Sequence, residues 1–175
     1  MLRKGECCML TFPYDRVRAV TYAHQWAYRR NPRYYDYQDI GGDCTNFASQ
    51  CLYAGSGVMN FTPTFGWYYR NANDKAPAWS GVEYFRNFLV REEENEGPFG
   101  REAPMADIKP GDFVQLDLGY GRFSHTSIVV AVGRRPNPQN ILVATHSMDS
   151  DYRPLRSYSY EKVRFIHILG VRSLI

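Results

Sequence analysis

The spacing of apolar residues changes period part-way along the chain, from that of a helix to that of a strand, and this change restricts the fold more than any other feature. In the first half, Val17, Val20, His24 and Ala27 recur at helical spacing and predict a helix over Tyr14 to Arg30. Asn31-Pro32 stops it, because a residue before proline is pushed out of the α region. Gly41-Gly42 frees the backbone for a tight turn, Asp43 is a suitable N-cap, and Phe47, Ala48, Cys51 and Leu52 predict a second helix from Cys44 to Ala54. Ser80 with Glu83 three residues on predicts a capping box for a third helix, carrying Val82, Phe85, Phe88 and Leu89 and ended by Gly97-Pro98. From Lys109 onward the period shortens and predicts strands at Phe113 to Leu118, Phe123 to Val132, Ile141 to His146 and Val163 to Val171. Helices first and short strands afterwards define an α+β class, with N-terminal helices packed on an antiparallel β-sheet. A chain of 175 residues suits one domain, read here as residues 13–175 behind an N-terminal tail of residues 1–12.

Composition narrows the function classes. Apolar residues make up 44% and charged residues 22%, and no apolar run approaches the roughly 20 residues of a membrane span, so a soluble domain is expected. The net charge of +3 is scattered, with no basic helix face interleaved with aromatics, which argues against nucleic acid as a partner. Residues 1–9 hold no apolar stretch long enough for a signal peptide, so the chain shows no export address. Cys7 and Cys8 are adjacent and Cys44 and Cys51 lie at helical spacing, so free thiols are expected rather than a disulfide framework or a zinc site. The aromatic stretch of residues 56–79, with Phe61, Phe65, Trp67, Tyr68 and Trp79, suits a groove wall or a filled core.

Cys44 is the first candidate for chemistry. A thiol attacks as thiolate, and a helix N-terminus or a neighbouring imidazole lowers its pKa. The run G-G-D-C-T-N-F puts Cys44 at a helix start, where free amides can also receive an oxyanion. Cys51, two turns on, reads as a small core hydrophobe. The base is sought on the strands. His125, Ser127, Val129 and Ala131 share one face of their strand, and Thr126, Ile128, Val130 and Val132 the other. A turn through Gly133 to Gln139 that pairs Ala131 with Asn140 places His125 opposite His146, which could hold the tautomer of His125; Asp149 or Asp151 are alternatives for that third role. His24 and His167 read as structural. No ligand pair has metal spacing, and neither a metal nor another cofactor is expected.

Taken together, G-G-D-C-T-N-F-A-S-Q, K-P-G-D-F-V-Q-L and S-H-T-S-I-V-V-A-V-G resemble the NlpC and CHAP group of papain-like hydrolases, and within it the bacterial putative amidase domain family. The likeness runs from Tyr14-Asp15-Arg16 through Asn31-Pro32, Tyr34, Trp67 and Trp79 to Thr145-His146. It implies a papain-like fold, a catalytic Cys44, His125 and His146, and cleavage of amide bonds in peptides or peptidoglycan fragments at the bacterial cell envelope. It further implies an oxyanion tyrosine upstream of the nucleophile, Tyr34 or Tyr37, and a substrate contact at Asp43. The same cysteine and histidine could serve acyl transfer or thioester cleavage, and a catalytically silent module that binds peptide or cell wall is the rival from another class.

Overall fold

The computed structural model describes residues 8–175; Cys7 and most of the N-terminal tail lie outside the described residues. The elements run β1 (Met9–Phe12), α1 (Arg16–Trp26), α2 (Cys44–Ser56), β2 (Tyr69–Asn71), β3 (Asp74–Lys75), α3 (Pro77–Ser80), α4 (Val82–Leu89) and β4 (Gly97–Ala103). They continue with β5 (Phe113–Asp117), β6 (His125–Val132), β7 (Ile141–Thr145), β8 (Ser150–Pro154) and β9 (Lys162–Leu174). The architecture is mixed α and β, with an antiparallel seven-stranded sheet ordered β1-β9-β5-β6-β7-β8 and β4 added to β9. Both β1 and β4 pair with Val171 and Arg172, so β4 takes the edge of β9 that β5 and β1 leave free.

Several boundaries differ from expectation. β1 draws Met9–Phe12 into the main sheet, where Phe12 pairs with Val171, so the segment before residue 13 is not simply a tail. α1 starts at Arg16, capped by the Asp15 carboxylate on the Arg18 amide, and stops at Trp26, short of Arg30. Ser80 and Glu83 form no capping box: Ser80 ends the short α3, Gly81 opens α4, and the Ser80 hydroxyl accepts from Lys75. Gly97-Pro98 opens β4 instead of merely ending a helix, because the chain turns straight onto the free edge of β9.

The helices cover one face of the sheet. Phe113, Ile128, Val130, Ala144, Ile166 and Ile168 meet Phe47, Leu52, Trp67, Trp79, Phe85 and Leu89 there. Trp67 and Trp79 are fully buried and Phe65 is 83% exposed, so the aromatic stretch divides between core and surface. On the opposite face Val114, Leu116, Val129, Ile141, Val143 and Phe165 pack under Leu155 and Tyr158, which gives the sheet two apolar sides.

α2 is the central element, buried at ten of its positions. Its polar side chains are each answered: Trp79 Nε1 donates to Asn46 Oδ1, Trp67 Nε1 to Ser49 Oγ, and the Tyr22 hydroxyl to Gln50 Oε1. Gly55 lets α2 close on the start of α1, since a Cβ there would meet the Tyr14 ring and, at 2.7 Å, the Asp15 carbonyl.

Candidate active site

The turn before α2 is drawn tight by Gly41 and Gly42, at φ +88° and +99°, values that L side chains rarely adopt. It delivers Asp43 and Cys44 to the C-terminal end of β7. Asp43 is fully buried, and it does not cap α2. Its Oδ1 accepts from the Tyr37 amide and from Asn46 Nδ2, both at 2.8 Å, and its Oδ2 meets His146 Nδ1 at 2.5 Å. Arg30 Nε stands 3.8 Å from the same carboxylate. Because the carboxylate is committed elsewhere, the first-turn amides of α2 carry no side-chain cap and stay available to a ligand.

His146 is held on both nitrogens. A carbonyl oxygen can only accept, so Nε2, 2.9 Å from the Trp26 carbonyl, carries a proton, while Nδ1 shares one with Asp43. The ring stacks on Phe47 with centroids 4.0 Å apart. His146 therefore lies on the helix side of the sheet and fastens Asp43, with no nitrogen left for another proton. The expected pairing with His125 is absent. β6 and β7 align Ile128 with Ala144 and, beyond a register shift after Val129, Ala131 with Leu142 instead of Asn140. An irregular step of this kind cannot be read from alternation alone.

His125 opens β6 opposite Leu116 of β5, 3% exposed, on the sheet face away from the helices. Its Nε2 contacts Ser127 Oγ at 3.1 Å and Thr145 Oγ1 at 3.4 Å. Thr145 has a single hydroxyl proton and two carbonyls to give it to, those of Thr126 and His146, so toward His125 it accepts. With Thr145 accepting, Nε2 carries the ring proton and Nδ1 the lone pair; with the closer Ser127 hydroxyl donating, the two roles reverse, and Nδ1 makes no hydrogen bond in this arrangement. Burial, with a contribution from Arg153, lowers the pKa of the ring to about 4, which keeps it neutral at pH 7. Thr145, the residue before His146, stands against the His125 ring in the place expected of His146. Asp149 and Asp151 do not take it: they pair with Arg30 and His24 at 2.8 Å.

Cys44 is 7% exposed. Burial raises its pKa, and the nearby Asp43 carboxylate adds to the rise; hydrogen bonds from the Thr126 backbone and from Thr45 pull the other way without cancelling it. The expected depression of the thiol pKa by the helix start is overturned, because desolvation outweighs it. The sulfur lies 3.8 Å from Thr45 Oγ1, and Thr45 meets Thr126, the residue after His125; the sulfur and the imidazole form no hydrogen bond. Thr45 Oγ1 lies 3.0 Å from Thr126 Oγ1, and Gln115 Nε2 donates to the same Thr126 hydroxyl, so this contact between α2 and the sheet is braced.

The two tyrosines flank the start of α2. Tyr34 stacks on Trp79, and the Tyr37 hydroxyl donates to the Ala72 carbonyl; burial raises both to about 12. Only the Tyr37 backbone reaches Asp43. Sequence reasoning missed Thr145, Ser127 and Ser147, whose Oγ accepts from the Asp43 amide at 2.9 Å. The T-H-S run after a strand was the available signal, since alternation sends Thr145 and His146 to opposite faces. Cys8, Cys44 and Cys51 are free, and Cys51 is fully buried in the core. Among the described residues no group of three or more His, Cys, Asp or Glu side chains is placed to hold a metal ion. No helix among them is long and apolar enough to cross a membrane.

The start of α2, with Cys44, is thus braced against the start of β6, with His125, through Thr45 and Thr126. Residues 13–169 match the model of the family described as a putative amidase domain, and the chain belongs to that family. It is similar to the uncharacterized protein YhbB of Bacillus subtilis, 35% identical over 153 residues. That match takes in 86% of this chain and 46% of the relative, so the chain spans under half of the relative's length. No solved structure matches the chain.

Proposed function

We propose that this domain is a cysteine amidase of papain-like arrangement, acting on amide bonds of peptides and, with the NlpC and CHAP hydrolases as the comparison, on cell-wall peptides. The family membership supports amide hydrolysis. The observation that carries the cysteine mechanism is the placement of Cys44 at the start of α2, where Thr45 bonds Thr126, the residue next to His125 in β6, at 3.0 Å.

In this reading the ground state is a neutral pair. The His125 ring leaves Ser127 and turns its Nδ1 to the sulfur when substrate arrives, takes the thiol proton as sulfur attacks the carbonyl, and returns it to the leaving amine. Water then releases the acid from the thioester. The uncapped amides at the start of α2 receive the oxyanion, while the Tyr37 hydroxyl is engaged by the Ala72 carbonyl. His146 acts through Asp43 as a positioning residue for the nucleophile. Burial of the sulfur also suits acyl transfer, since a site closed to water favours an amine acceptor.

The test is digestion of purified peptidoglycan by the wild type and by Cys44→Ala, with mass spectrometry of the fragments. New free carboxyl ends made by the wild type alone are expected; a new amide in their place identifies transfer. The same fragments from both proteins would remove the cysteine mechanism.

A further inference from the structure

Against His125, on the sheet face opposite α2, lies a polar cluster that the reaction as described does not use. Arg153 is half-buried and faces no carboxylate among the described residues; its Nε and Nη2 go to Ser157 and its Nη1 makes no hydrogen bond. The guanidinium sits 3.7 Å from the centroid of the Tyr158 ring, and that ring lies 5.6 Å from the ring of His125. Tyr158 is 7% exposed, yet its Oη is a buried hydroxyl without a hydrogen-bond partner. Polar groups of Ser127, Ser150 and Arg153 surround it.

A buried hydroxyl left unpaired is costly, so an orphan beside a guanidinium that meets no carboxylate calls for a ligand group that satisfies both. A carboxylate does this: one oxygen accepts from Arg153, the other from Tyr158 Oη. The other half-buried cations differ. Arg91 is spent on the carbonyls of Phe88, Asn95, Glu96 and Pro98, and Lys75 on the Ser80 hydroxyl and the Tyr37 ring.

We propose that Arg153 and Tyr158 bind a carboxylate on the leaving-amine side of the scissile amide, so that the preferred substrate releases an amine that itself carries a carboxylate. This rests on the cysteine amidase reading. The two faces of the sheet supply the direction: Cys44 keeps the acyl carbon on the α2 side, His125 protonates the nitrogen as the C–N bond breaks, and Arg153 and Tyr158 pack on the His125 face. Water supplies the hydroxyl of the released acid, and the amine departs with its carboxylate unchanged. Binding also has a consequence for the base. Arg153 is the charge that adds to burial in lowering the His125 pKa, and a carboxylate seated on it cancels that effect, so an acidic substrate makes the imidazole a better proton acceptor.

The experiment uses the Cys44→Ala chain with acetyl-trialanine as the free acid and as the C-terminal amide, read by calorimetry and by NMR titration of the His125 ring. The acid is expected to bind about tenfold more tightly than the amide and to raise the midpoint of His125 by about half a unit, while the amide leaves that midpoint unmoved. Arg153→Gln should remove both effects, and Tyr158→Phe, which keeps the ring, should reduce the preference by a few-fold. Equal affinity for acid and amide, or a preference untouched in both variants, overturns the proposal. Turnover by the wild type separates the two readings. A preserved binding preference without cleavage of either peptide sinks the amidase reading alone; cleavage of both at one rate with no movement of His125 sinks the carboxylate site alone.

Discussion

A buried, protonated thiol reacts only while its proton is being handed over, so Cys44 should be quiet until substrate brings a base to the sulfur. Burial raises its pKa, whereas Cys8 is exposed and near the chain start. Labelling with iodoacetamide at pH 7 should therefore modify Cys8 first, with Cys44 at least about tenfold slower and gaining speed as the pH climbs above the usual thiol range. Peptide mass spectrometry over time gives the rates, and fast labelling of Cys44 at neutral pH would contradict the burial argument. The sequence made Cys44 legible as the residue at a helix start, because Gly-Gly-Asp leaves few other structures for that turn. It could not show the sign of the pKa shift, which depends on how completely α2 is enclosed by strands and aromatics distant in the chain.

At the scale of elements, the turn before α2 is fastened to the hairpin between β7 and β8. His146 grips Asp43, Ser147 accepts from the Asp43 amide, and Arg30 joins Asp149 to the loop after α1. Removing one partner of a buried charged pair leaves the other uncompensated, so His146→Leu should cost about 3–5 kcal/mol in urea unfolding. Asp43→Asn, which keeps an acceptor for the Tyr37 amide, should cost less; the reverse ranking would mean that Asp43 is held chiefly by Tyr37 and Asn46. The hairpin itself is strained, with Ser147 and Met148 at φ +62° and +75°. Met148 is exposed, and Met148→Gly should stabilise the chain by about 1 kcal/mol, seen as a raised urea midpoint at unchanged slope. This strain explains why β8 was not legible: a tight hairpin is announced by residues such as Asn-Gly, and Ser-Met announces nothing. β4 was hidden for a related reason, since Gly97-Pro98 reads as a stop and becomes a strand only because β9 offers an edge.

For the molecule as a whole, the two faces of the sheet decide what His125 can do. Alternation in the sequence correctly separated His125 and Ser127 from Thr126 and Ile128, but only the packing of α2 shows that the Thr126 side meets the helices. His125 is consequently buried on the far side, and its neutral form is built into the fold. An unfolded histidine titrates near 6.5, while burial brings the folded ring to about 4. Protons therefore bind the unfolded chain more readily between these values, and stability that is complete above about pH 6.5 drains away as the pH falls toward 4, by about 3 kcal/mol in total. Carboxylates add their own losses in the same range, so the measurement is a difference: urea unfolding of the wild type and of His125→Gln at pH 7 and pH 4. Gln keeps a donor for Thr145 and carries no titrating proton, so the wild type should lose about 3 kcal/mol more than the variant on acidification. Parallel losses in the two chains would mean that the folded ring titrates near the unfolded value, and burial would not be what keeps it neutral.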